Sequence, residues 1–130
     1  DSVDIVYYYG KGNIATDSNS VASPAAAVFS NTITTENPWP ELINWSTRNS
    51  TKFKNISDSV NHEIVDVAQN DSILQKYAVN LTDTKINKLK IGSIIVFETI
   101  KGKKGMFVVE NIEGTKAITR AITVAMIVQQ

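Results

Sequence analysis

The chain has 130 residues, the size of one ordinary domain, and at that size folding buries about two thirds of the surface, so a core can form without metal or disulfide. Thirteen Lys and Arg balance thirteen Asp and Glu at zero formal charge, which removes the electrostatic case for a nucleic-acid or anionic-membrane partner. Cysteine is absent, which excludes thiol catalysis and thiolate metal sites.

Residues 2–9 predict a first strand, because Val3, Ile5, Val6 and three consecutive tyrosines, Tyr7, Tyr8 and Tyr9, are β-branched or aromatic and Gly10-Lys11-Gly12-Asn13 stops them. Residues 14–22 read as polar and irregular. Ser23-Pro24 before an Ala-rich run predicts a short helix near 24-30, with Ser23 as N-cap and Pro24 at the first helical position. Pro38-Trp39-Pro40 must be loop, since two prolines leave a single backbone donor among three residues. Residues 48–56, with Phe53 between two lysines, predict a second strand. The period then changes. Val60, Ile64, Val67 and Ala68 fall on one helical stripe, and Ile73, Leu74 and Tyr77 on a second short one after Asn70-Asp71, which together predict helices over 58-79. Residues 80–90 read as a polar connector.

The last third is the most legible. Apolar runs at 94–100, 106–112 and 117–128 are separated by Lys101-Gly102-Lys103-Lys104-Gly105 and Glu113-Gly114, the signature of a three-stranded antiparallel meander. In the final strand Ile118, Ile122, Val124, Met126 and Val128 share the face expected to meet the core, with Arg120 as the exception. The fold class predicted is α+β, with an antiparallel sheet built from this C-terminal meander plus N-terminal strands.

Few residues offer chemistry. His62, the lone histidine, makes an i, i+4 pair with Asp66, but the metalloprotease pattern needs a second histidine there. No metal and no cofactor is expected. No glycine-flanked serine elbow occurs, and the lysines at 101–104 suit a solvated hairpin tip rather than a phosphate cradle. Five Asn-x-Ser/Thr triplets begin at Asn44, Asn49, Asn55, Asn70 and Asn80, a mild excess over the about two that this Asn-, Ser- and Thr-rich composition produces by chance. The candidate ligand-binding residues are Trp39, Asn44, Trp45 and Arg48. Two tryptophans bracketing a proline-stiffened loop, with an amide and a guanidinium beside them, suit a neutral glycan or a peptide stacked on a ring. The bland alternative makes both tryptophans plugs of the core.

Asn, Thr and Ser supply 35 residues while charged residues are 20%, a balance commoner on exported β-rich domains. The chain opens Asp1-Ser2-Val3 without an initiator methionine, which predicts a processed product whose targeting or lipid-bearing segment has been removed. No apolar run reaches the ~18–20 residues needed to span a bilayer. The segments VDIVYYYG, ATDSNSVASPAAAVF, WSTRNSTKF and LKIGSIIVFETIKGKKGMFVVENIEG together resemble domains of unknown function in secreted or surface lipoproteins of Bacteroidetes. The resemblance implies one extracytoplasmic domain over 1-130, part of a longer exported lipoprotein, and transfers no active-site residue. It also implies that Asp-Ser-aliphatic triplets at Asp1, Asp58 and Asp71 are O-glycosylation signals. The function expected is that of a non-enzymatic interaction or accessory domain with a protein or glycan partner at the cell surface. The alternative is a small carbohydrate-active or other hydrolytic domain.

Overall fold

The computed structural model describes residues 3–33, 35–60, 72–114 and 119–129. Among the described residues the strands are β1 (Val6–Tyr9), β2 (Asn19–Ala22), β3 (Lys52–Asn55), β4 (Lys85–Ile86), β5 (Ile94–Glu98), β6 (Lys104–Glu113) and β7 (Ala121–Val128), with one α-helix, α1 (Ser72–Tyr77). They form two antiparallel sheets, one in the order β1-β2-β4 and one in the order β3-β5-β6-β7. The fold is therefore α+β with antiparallel sheets, and its C-terminal meander is β5-β6-β7. No helix among the described residues is long and apolar enough to cross a membrane.

The two sheets meet at one corner. Phe53 of β3 forms an isolated bridge with Asp83, just before β4, through a 2.8 Å hydrogen bond from the Phe53 amide to the Asp83 carbonyl. One face of each sheet turns inward onto a shared cluster of Val21, Phe53, Ile95, Phe97, Phe107 and Val109, with Ile5, Ile122 and Val124 packed at its margin. The opposite face of the four-stranded sheet carries Ile94, Val96, Met106 and Val108 against Ile56, Val60, Leu74 and Ala78, so α1 covers it. β5 and the first half of β6 are therefore buried on both faces, which is why they read as unbroken apolar runs rather than as an alternation. The outer face of the small sheet packs Val6, Tyr8 and Ala22 against Ala26, Phe29 and Leu42 from the loops.

A bulge between Val109 and Asn111 places an extra residue in β6. The extra residue shifts side-chain parity by one, so Ile112 joins the shared cluster on the same face as Val109.

Several expectations are refined. A short helix does form near 24-30, as a 3-10 turn over Ala27–Ser30, but Ser23 does not cap it. Its hydroxyl instead donates to the Asn49 carbonyl at 2.7 Å and accepts from the Ala25 and Thr51 amides, tying this loop to the start of β3. The irregular reading of 14–22 misses β2, and the polar connector 80–90 contains β4. Met126 and Val128 are exposed, contrary to the core face assigned to them, because β7 is an edge strand and the cluster beneath it ends at Val124. Gly105 belongs to β6 rather than to the turn, whose tip is closed by hydrogen bonds from the Thr99 amide to Lys103 and from the Gly102 amide to Thr99. Most of the helical stripe at 60–68 and the His62–Asp66 pair lie outside the described residues.

Candidate functional site

Asn37 builds the loop that carries the first tryptophan. It is 1% exposed, its amide donates to the carbonyls of Phe29 and Asn31 at 3.0 and 2.9 Å, and its oxygen accepts from the Trp39 amide at 2.9 Å. Pro38 and Pro40 restrain the backbone on either side. The next turn, Pro40–Asn44, is 3-10, with hydrogen bonds from the Leu42 amide to Trp39 and from the Trp45 amide to Leu42. In such a turn residues three apart eclipse. Trp39 and Trp45 flank this compact turn, which brings them together, and the rings meet edge to face at 5.6 Å and 73°. Sequence spacing placed them at opposite ends of a loop, whereas the 3-10 geometry stacks them.

Trp39 is 39% and Trp45 36% exposed, so neither is a core plug; Leu42 between them fills that role at 0%. The remaining candidates lie elsewhere. Asn44 is exposed and lines none of the described concavities. Arg48 turns to Ser30, whose hydroxyl oxygen accepts from both terminal guanidinium nitrogens at 3.2 Å. The two tryptophans serve different hollows. Trp45 borders one of about 260 Å³ with Val3, Ser46, Thr47 and Asn49.

Trp39 faces a larger, open concavity of about 510 Å³ with Pro38, Tyr7, Tyr8, Tyr9, Lys11 and Arg120. Alternation along β1 explains the tyrosines. Tyr8 points to the outer cluster, 5.8 Å from Phe29, while Tyr7 and Tyr9 lie on the opposite face. Arg120, immediately before β7, sets its guanidinium carbon 4.8 Å from the centre of the Tyr9 ring, a cation–π contact that joins the end of β1 to the start of β7. Its Nε is buried without a hydrogen-bond partner. Lys11 is shared with an adjoining hollow of about 410 Å³ that also touches Gly12, Thr35 and Pro40.

The tyrosines differ in chemistry. Tyr7 donates to Asn19 Oδ1 at 2.7 Å, and burial pushes its phenol above the ordinary value, partly opposed by the charge of Arg120. Tyr8 is driven much higher, first by burial and then by its hydrogen bond to the Asp17 carboxylate at 2.8 Å. Asp17 also accepts from Lys85 Nζ and Asn87 Nδ2, each at 3.2 Å, so a polar knot pins β1, β2 and β4 together. Both phenols are thereby kept as neutral donors rather than bases. Among the described residues no three His, Asp or Glu side chains converge as a metal site, and none of the described lining residues of the three hollows is Asp, Glu or His. The arrangement can stack a ring and donate hydrogen bonds.

Of the Asp-Ser-aliphatic triplets, Asp58-Ser59-Val60 lies within a described turn and exposes Ser59. Sequence reasoning singled out the tyrosines but not Lys11, and it registered Arg120 only as a lone cation interrupting an apolar strand face. That interruption was the available signal. The sequence matches no protein-family model, and comparison with curated proteins and with solved structures gives no match.

Proposed function

We propose that the chain is a non-enzymatic recognition domain of a secreted or surface-exposed bacterial protein, and that it holds a short glycan in the concavity between Tyr9 and Trp39. The observation that carries the reading is the convergence of aromatic rings from β1 and from the proline-flanked loop on one open hollow of about 510 Å³, a size in the range of small-ligand sites. Sugar rings present an apolar C–H face and a polar rim, and exposed Trp and Tyr rings match both. Trp39 is already held by Asn37 and two prolines, so little conformational freedom is lost on binding. The hydrolytic alternative draws no support from this hollow, since its described lining offers no carboxylate to act as acid, base or nucleophile.

Tryptophan fluorescence titrated with a panel of oligosaccharides and peptides tests the reading. Saccharide-dependent emission that persists in Trp45→Ala and vanishes in Trp39→Ala is expected. No response from any saccharide, or a response that survives Trp39→Ala unchanged, would overturn it, and a response to peptides alone would make the partner a protein.

A further inference from the structure

We propose that the saccharide is an acidic one, its carboxylate held by Arg120 and Lys11 while a ring of the sugar stacks on the aromatic wall. The inference rests on the recognition-domain reading above and departs from the neutral glycan or peptide expected from sequence. Its basis is an imbalance of charge. The chain as a whole carries equal numbers of cationic and anionic side chains, yet the described lining of this hollow contains two cations and no carboxylate.

Arg120 makes no ion pair with any described residue; the ion pair between Lys85 and Asp17 lies in the polar knot behind β1. Cations set against buried or half-buried surfaces are ordinarily paired, because desolvation without a partner is costly. Contact with the Tyr9 ring holds the guanidinium in place without using its N–H donors, and with Nε buried it is the two terminal nitrogens that suit the two oxygens of a carboxylate. The proximity of Arg120 is also felt at Tyr7, whose phenol it acidifies against the effect of burial. Positive charge is thus focused between Tyr7, Tyr9 and Lys11. A second cation on an exposed, separate stretch of chain widens the field over the hollow without occupying it.

A saccharide fits this better than an acidic peptide does, since the hollow that holds the two cations is otherwise lined mainly by tyrosine and tryptophan residues. Because Arg120 already lies over the Tyr9 ring, the sugar's face is assigned to Trp39, and a carboxylate at the rim of a pyranose is then free to reach the cations of the same hollow.

The test uses calorimetric titration with short oligomers of galacturonate, glucuronate and mannuronate, each beside its carboxyl-reduced neutral counterpart. At least one acidic oligomer is expected to bind roughly tenfold or more tightly than its reduced partner, with the preference shrinking as salt rises from about 0.05 to 0.5 M. Arg120→Gln and Lys11→Gln should each erode that preference while leaving any affinity for the reduced oligomer intact. Lys11 is exposed, so its substitution removes charge without disturbing the core, and its result stands even if Arg120→Gln unfolds. Equal binding of acid and reduced forms, abolished by Trp39→Ala, overturns the acidic ligand and leaves the recognition domain standing. Binding of neither member of any pair overturns both. Arg120-dependent binding of a glutamate-rich peptide with no saccharide binding overturns the sugar.

Discussion

Tyr8 shows how one side chain joins the core to a buried charge. Its ring sits among Val6, Ala22 and Phe29 while its hydroxyl reaches Asp17, which Lys85 and Asn87 also contact. Tyr8→Phe keeps the ring and removes the donor, leaving a largely buried carboxylate with one partner fewer. A loss of about 1–3 kcal/mol is expected in denaturant titration. The pH dependence has a definite sign. Because the phenol in the folded state lies above its ordinary value of 10.0, the stability it contributes is complete below that value and is lost as pH rises toward and through the folded value. Denaturant midpoints followed from about pH 8 to pH 11.5 should therefore fall more steeply in the parent than in Tyr8→Phe. Parallel curves would mean that the phenol does not ionise on unfolding. Little of this knot is legible in sequence. Asn19-Ser20 looks solvent-seeking, and its burial becomes tolerable only through tertiary partners, the Tyr7 hydroxyl on Asn19 and the Asp17 carbonyl and Asn87 on the Ser20 hydroxyl.

At the scale of the elements, the hairpin β5-β6 was read correctly from turn residues and apolar runs, but what each residue faces was not. In sequence Gly105 reads as the last residue of the turn. It pairs instead with Phe97 across the ladder, and the Phe97 ring lies over it so closely that an added Cβ would fall 2.2 Å from the ring. Gly105→Ala must therefore displace a phenylalanine that is 3% exposed and packed against Phe107. A cost of about 1–3 kcal/mol, read as a lowered melting temperature, is expected from such overpacking. At Gly102, whose φ is +78° with open space around it, alanine should cost less and only through backbone strain. Equal effects at the two glycines would contradict the packing described. The period-two rule assigned β7 a core face out to Val128, and it failed there because alternation reports which way a side chain points, not whether anything lies above it. The candidate site was partly visible for the same reason. Trp39 and the tyrosines announce themselves as aromatic, while Arg120 and Lys11 join them only through tertiary placement.

For the whole molecule, Phe53 is the joint. Its backbone bridges toward β4, and its ring, 1% exposed, lies in the cluster shared by both sheets. Phe53→Ala should cost about 3–5 kcal/mol. In the parent, tryptophan fluorescence from the loops of the small-sheet side and far-ultraviolet circular dichroism dominated by the large sheet should report one coincident transition. Separate midpoints would mean that the sheets unfold independently. Opposite that joint, among the described residues, β1 and β7 each have a strand on one side only, and no ladder connects them where Arg120 rests on Tyr9. Amide protons will therefore exchange with solvent along a gradient, slowest in β5 and β6, which have ladder neighbours on both sides, and fastest along this seam. The concavity lined by Tyr9, Trp39 and Arg120 lies at this seam, so a molecule bound there and touching both Arg120 and Tyr9 would act as a staple across it.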